Sequence, residues 1–396
     1  MVVSRIDDLI REKCPNGVEY KNILDVISMK ARVGWQALTK KEYLQTGEYY
    51  LITGTDFKEN GSIGFESCVY VSKDRFDMDE NIKVHANDIL MTKDGTLGKV
   101  AFMKTEPPKP ATLNGGVYRL TVISGEVLPR YMYHYFTSYK FKCFVDKVKT
   151  GGTIKHLTQK WFETLVVPVP PIEIQKEIIH ILDKFAELEA ELQAELDVRK
   201  KQYEHYRNEL LAATSDVDIV ALEKCADIGT GSSNTVDGID NGKYPFYVRS
   251  QKPLTMNSFE YDEVATITAG DGVGVGKVFH FVNGKYALHQ RAYRIHITDK
   301  RINPKFFHHY FVAKFPKFIF SNMYEGSVPS IRRPMLNKFE IPILSLDKQN
   351  QIVEILDKFE EYCNSDSGVL SLEINLRHKQ YEYYRDKLLT FERKVV

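Results

Sequence analysis

The chain repeats itself, and the repeat limits its fold more than any composition value does. ILDKF stands at 181–185 and again at 355–359, an offset of 174 residues. RKKQYEHYRNELL at 199–211 returns as RHKQYEYYRDKLL at 377–389, an offset of 178. The second copy therefore gains four residues between Phe359 and Arg377. Weaker echoes fall between these anchors: DGTLGKVAF (94–102) and DGVGVGKVFHF (271–281), YHYF (133–136) and HHYF (308–311), TGGTIKHL (150–157) and YEGSVPSI (324–331), LVVPVP (165–170) and FEIPIL (339–344). Self-similarity of this order sets the organisation before any local reading. With 396 residues, too many for one core, the repeat predicts a globular domain over 1–171, a helix over 172–212, a second globular domain over 213–346 and a distal helical region over 347–396.

The helical segments carry a heptad track. From residue 178 to 210, steps of four and three meet Ile178, Leu182, Phe185, Glu189, Leu192, Leu196, Arg199, Tyr203, Tyr206 and Leu210, a seam that is apolar or aromatic at most positions. The second copy ends on Leu370, Ile374, Arg377, Tyr381, Tyr384 and Leu388. A four-residue insertion is a stutter that keeps such a seam on one face. The inserted NSDSG (364–368) favours turns, so two helices in place of one are also expected there. The first helix leaves domain one and reaches domain two, and the second leaves domain two. If the second packs on the first, it runs back. The expected fold class is α+β, two α/β domains joined by an antiparallel two-helix coiled coil with internal pseudo-two-fold symmetry. About 40 helical residues span roughly 60 Å, longer than one DNA turn of about 34–36 Å.

The glycine-rich run AGDGVGVGKVF (269–279) invites a phosphate-binding reading, and its spacing rejects it. Asp271 stands where a P-loop needs its first glycine, and Val278 where it needs Ser or Thr. The twin run at 94–102 lacks the extra glycines. What the two share is a tight turn between the β-like runs NDILMT and KVAFM, and VATITA and KVFHF, where glycine supplies positive φ.

Net charge is +1, but its distribution alternates: the two globular segments are net positive and the two helical segments net negative. Lys140, Lys142, Lys147, Lys149, Lys155 and Lys160 meet one acid, Asp146, over 140–160, and aromatic residues interleave them. Residues 300–338 repeat the pattern, with Arg332 and Arg333 near the end. Such paired cationic, aromatic segments suit nucleic acid, in which phosphates take Lys and Arg and base edges take Arg. The candidate DNA-binding residues are Lys93, Thr96, Lys99, Lys147, Lys149, Lys155, His156 and Gln159 in the first half. In the second half they are Lys277, His289, Gln290, Arg291, Ser330, Arg332 and Arg333. For most single lysines a solvated surface is the better reading, and only the duplicated ensemble favours nucleic acid.

No catalytic constellation stands out. The Pro-Pro pairs lie in EPPK and VPPI, not in the Asn/Asp-Pro-Pro-aromatic loop of an amino-methyltransferase. No H-x-x-x-H helix and no G-x-S-x-G elbow is present. His308 and His309 sit in an aromatic helical stretch, where a core or surface role outweighs metal ligation. The five cysteines form no C-x-x-C pair, and the first residues, MVVSRIDDLIREK, lack a signal-peptide apolar core. A reduced, cytoplasmic protein without a membrane span is expected. A protein-only coiled-coil adaptor and, further off, a self-contained DNA methyltransferase are the alternatives.

RIDDLIREKCPNGVEYKNI at the start, RVGWQALTKKEY (32–43) and the duplicated ILDKF…KQYExYRxxLL helices resemble the specificity subunits of Type I restriction-modification systems. The resemblance implies two target-recognition domains, each reading one half of a split sequence in double-stranded DNA, with the helices fixing the gap. It implies no catalysis and no cofactor on this chain. S-adenosylmethionine, ATP and Mg would belong to the partners, namely two methyltransferase subunits, met by the acidic outer helix faces, and restriction/translocase subunits. Carried over residue by residue, Leu182, Phe185, Leu192, Leu196, Tyr203, Tyr206 and Leu210 would pair with Leu356, Phe359, Leu370, Ile374, Tyr381, Tyr384 and Leu388.

Overall fold

The computed structural model describes residues 2–149, 157–212, 217–322, 330–363 and 368–394. They form two compact units, Met1–Glu191 with Ile374–Val396, and Leu192–Glu373.

In the first unit an antiparallel sheet runs in the order Ile27–Ala31, Val117–Val122, Ile89–Thr92, Val100–Phe102. Ile89–Thr92 is buried at every position, which suits its unbroken apolar run ILM. Beside it lies a three-stranded sheet in which Tyr49–Ile52 pairs in parallel with Ala111–Leu113. In the second unit one six-stranded sheet does both jobs, in the order Ala226–Thr230, Ala292–Ile297, Tyr261–Ala269, Phe279–Leu288, Tyr244–Tyr247, Leu254–Met256. The difference has a sequence cause. The stretch after Phe102 holds Pro107, Pro108 and Pro110, which cannot donate to a ladder and split the strand. The matching stretch after Phe281 has no proline, so Phe279–Leu288 continues.

The register makes the two halves superimposable on paper. Ile89 faces Phe102 and Leu120, and Thr266 faces Phe281 and Ile295. One residue on, Leu90 faces Arg119 and Ile267 faces Arg294. Both arginines pair with an acid on the central strand side, Arg119 with Asp88 at 2.7 Å and Arg294 with Glu263 at 3.1 Å.

Each half docks its helices through the same devices. Gln175, fully buried, donates from Nε2 to the carbonyls of Glu126 and Pro170, both at 2.7 Å, and its Oε1 accepts Leu128 N–H at 2.8 Å. Gln349 donates to Arg301 O and Leu344 O, both at 2.8 Å, and accepts Asn303 N–H at 2.7 Å. His134 contacts Asp183 at 2.9 Å and His309 contacts Asp357 at 2.8 Å. Arg130 joins the first pair at 2.8 Å, and Lys305 joins the second at 3.5 Å.

Within the first unit the long helix Ile172–Leu210 runs antiparallel to the last helix, Val369–Leu388: Phe185 stacks on Tyr384 at 5.5 Å, and farther along Glu189 meets His378 at 3.0 Å. Leu182 shares a core with Leu388, against which Tyr381 also packs. Within the second unit the long helix runs antiparallel to Leu346–Cys363: Tyr203 and Tyr206 meet Phe359 at 6.1 and 5.6 Å, and Leu210 packs on the Leu356 cluster. The pairing is crossed and does not follow the order of the repeat: Phe185 meets Tyr384 in the first unit, and its repeat equivalent Phe359 meets Tyr206 in the second. Leu196 is buried, while Leu192 and Ile374 are half-buried; Leu370 lines a cleft of about 490 Å³ with Phe359, Tyr362 and Arg199. The distal region is two helices, one ending at Cys363 and the next starting at Val369, the alternative that the turn-forming NSDSG left open. Residues 364–367 lie outside the described residues.

Candidate nucleic-acid interface

Both glycine-rich runs are tight turns at one end of a sheet. The first links Ile89–Thr92 to Val100–Phe102, and the second links Tyr261–Ala269 to Phe279–Leu288. Gly95 and Gly98 hold φ of 68° and 75°, and Gly272 and Gly276 hold 76° and 70°, the left-handed region that glycine enters without a Cβ clash.

In the first half Thr92 closes the turn, its hydroxyl donating to Thr96 O and accepting Lys99 N–H. Thr96 and Lys99 are exposed, and Lys93 lies over the Tyr118 ring, 5.3 Å from its centroid. Lys93 O accepts Leu157 N–H at 3.1 Å, so the turn and the start of the Gln159–Phe162 helix are held together, with Gln159 exposed. Val145 of Tyr139–Lys149 abuts Gly98, and Lys147 is exposed on the same helix. Lys149 is placed by its backbone at the end of that helix, while Lys155 and His156 lie outside the described residues.

The second half repeats this plan with different chemistry. Ile331 N–H donates to Gly270 O at 2.7 Å, the counterpart of Leu157 to Lys93, and Ser330 bridges Asp271. Asp271 accepts from Arg249 Nη1 at 2.5 Å and from Arg291 Nη1 at 3.0 Å. Burial would raise the Asp271 pKa, but these two bonds outweigh it and hold the carboxyl below its ordinary range. The extra glycines of this copy have a reason in this geometry. A Cβ on Gly270 would sit 2.6 Å from Arg291 O, and one on Gly274 would sit 2.5 Å from Arg249 O. The turn must lie against both arginine backbones for one carboxylate to reach both guanidiniums. Arg291, Gln290, Ser330, Arg332, Arg333 and Lys277 are exposed.

One candidate needs correction. His289 is buried, 3% exposed, and its Nδ1 accepts Arg291 N–H at 3.0 Å. It shapes the turn that presents Gln290 and Arg291 and offers no surface for direct readout. Its pKa is lowered, first by burial, so the neutral ring that accepts this bond is the favoured form. Sequence reading missed Arg249, which lies 22 residues from Asp271. The one signal that could have pointed to it is the glycine spacing, which marks a close backbone approach without naming the neighbour.

The acids Asp357 and Glu360 converge on His309, an arrangement with metal-ligand residue types. Lys305 already supplies a cation there, 3.5 and 3.8 Å from the two carboxylates. The equivalent place in the first half holds Arg130 against Asp183. The cluster is an ion-pair device for docking helices.

Comparison with known proteins follows the same two blocks. A family model described as the Type I restriction modification DNA specificity domain matches residues 15–198 and 215–374. The Type I restriction enzyme EcoR124I/EcoR124II specificity subunit of Escherichia coli is 32% identical over 247 residues, 57% of this chain and 61% of its own length. The chain thus spans less than two thirds of that relative. A putative type I restriction enzyme specificity subunit of Haemophilus influenzae is 30% identical over 293 residues, 66% of this chain and 72% of the relative. The crystal structure of the S subunit of a Type-I restriction-modification system from M. genitalium matches with a TM-score of 0.59 at 15% identity, over 96% of this chain and 98% of that one. At that identity the likeness is one of fold. Among the described residues no helix is long and apolar enough to cross a membrane.

Proposed function

The chain belongs to the Type I restriction-modification DNA specificity family, and on that premise we propose that it is the DNA-reading subunit of such a complex. Each half reads one part of a bipartite target in double-stranded DNA, and the helices set the spacing between the parts. The chain carries no catalytic step. Methyl transfer and cleavage, with S-adenosylmethionine, ATP and Mg, belong to two methyltransferase subunits and to restriction subunits that it recruits.

The observation that carries this reading is one scaffold used twice with different tips. The docking glutamine, the His–Asp pair and the sheet register recur in both halves. The turns at the sheet ends carry Lys93 and Lys99 in one half and Arg249 and Arg291 in the other. A reader of two unlike half-sites needs constant docking and variable tips. A protein-only adaptor has no need of either cationic tip.

The test is salt dependence. Each phosphate contact contributes a slope of about −0.9 in log K against log salt. Neutralising Lys147, Lys149 and Lys155 together should weaken binding of the methyltransferase-bound chain to duplex and flatten that slope by up to ~2.7. A slope that does not change places the DNA elsewhere on the protein.

A further inference from the structure

The two tips are built on equivalent backbone but hold different groups. Asn114 N–H donates to Ile52 O and His289 N–H donates to Tyr247 O, both at 2.9 Å, which aligns the two turns residue for residue. Counting along from these anchors, Arg249 stands where the first half has Gly54, and Arg291 where it has Gly116. The carboxylate between the arginines, Asp271, matches Asp94. The second half therefore sets a pair of arginines around an acid that the turn of the first half also carries.

This pair is ill suited to phosphate capture by charge alone. A carboxylate beside two guanidiniums cancels one of their charges and weakens attraction to a phosphate. What it provides is orientation. Asp271 engages Nη1 of each guanidinium and tethers both to the turn, while the Arg291 side chain stays 63% exposed. A tethered, exposed guanidinium fork suits an acceptor pair of matching spacing, and on a DNA base edge that pair is guanine O6 and N7. We propose that Asp271 is a positioning residue that holds Arg291, with Arg249 beside it, as a guanine-reading element of the second half, at positions where the first half has Gly116 and Gly54. The proposal rests on the DNA-reading function above and adds the base class and the residues.

The experiment uses the full chain with its methyltransferase subunits and a duplex carrying the target found by mapping methylated bases. Competition binding is measured against single substitutions at each G·C pair of the half-site read by the second half, and against a random duplex. A bidentate arginine–guanine contact is worth about 1–3 kcal/mol of discrimination, roughly 5- to 150-fold. Arg291→Ala should erase discrimination of that size at one G·C pair and leave the other half-site's profile intact. Arg291→Lys, which keeps the charge and loses the fork, should fail to restore it. Asp271→Asn should flatten the same position and strengthen random-duplex binding, since a negative charge is removed. A role confined to folding cannot produce that opposite pair of changes. The proposal is overturned by a second half-site without a G·C pair, by equal weakening on every duplex in Arg291→Ala, by recovery of discrimination in Arg291→Lys, or by full discrimination in Asp271→Asn. If Arg291→Ala does not fold, the lysine and asparagine variants decide. A wild-type complex that does not prefer its target over random duplex defeats the underlying function instead, and is told apart by that control.

Discussion

Replacing Gln175 by Met removes three hydrogen bonds while nearly preserving volume, so water gains no room to compensate. The bonds tie the carbonyls of Glu126 and Pro170 and the N–H of Leu128 to one fully buried side chain. They fix the start of the long helix, the strand before it and the approach to the Pro129–Thr137 helix to one another. A buried hydrogen bond contributes about 1 kcal/mol net, and an orphaned backbone group costs about 1–3 kcal/mol. The three partners lose their shared side chain together, so the loss should be about 3 kcal/mol at least. Gln349→Met should cost about the same, through Arg301, Leu344 and Asn303. Urea unfolding monitored by hydrogen exchange resolves the two: the first variant should lose protection around 126–135 and 172–180, the second around 301–309 and 346–354. The clamps share no partner, so the double variant should be additive to within about 0.5 kcal/mol. A loss under about 1 kcal/mol in either variant refutes the clamp as a source of stability.

Further outcomes follow from the same structure. His134, His308 and His309 are buried, and burial first of all lowers each pKa; among the described residues His134 Nδ1 has no hydrogen-bond partner, as a neutral ring that donates from Nε2 to Asp183 allows. The unfolded chain binds these protons near pH 6.5 and the folded chain below it, so stability is full above about pH 6.5 and falls as pH drops through the lowered values. A urea midpoint that is unchanged or higher at pH 5.5 than at pH 7.5 contradicts this. Asp183, which burial would raise, is held at about 2 by His134 and Arg130, so Asp183→Asn should destabilise the first unit at pH 7, read by exchange in 130–137. Phe185→Ala and Phe359→Ala each remove a stacked ring and should cost about 2–3 kcal/mol apiece, toward the lower end for half-buried rings; equal melting of variant and parent counts against the seam.

The repeat made much of this legible in advance. Identical strings at 181–185 and 355–359 and the KQYE…YR…LL pair located the helices that pack along the seam within each unit, because those residues pack in periodic rows. The turn at 94–98 and its twin at 271–276 were readable because positive φ demands glycine. NSDSG raised a break in the distal helix without deciding it, because turn-forming residues in a heptad track also fit a stutter. The tips were harder. Arg249 and Asp271 meet only because strands distant in sequence place them side by side, and no local pattern encodes that. His289 looked like a contact because a polar residue next to Gln290 and Arg291 is expected at a surface. Its burial follows from the turn folding its ring inward to accept Arg291 N–H, which sequence order does not show.

Each half should read its own part of one target. Mapping methylated bases in cells that hold the chain and its methyltransferase subunits, first as it is and then with residues 222–341 replaced by those of a relative, tests that directly. One half of the recognised sequence should change while the other half and the spacing persist. Two altered halves, or a target that does not change, would contradict it.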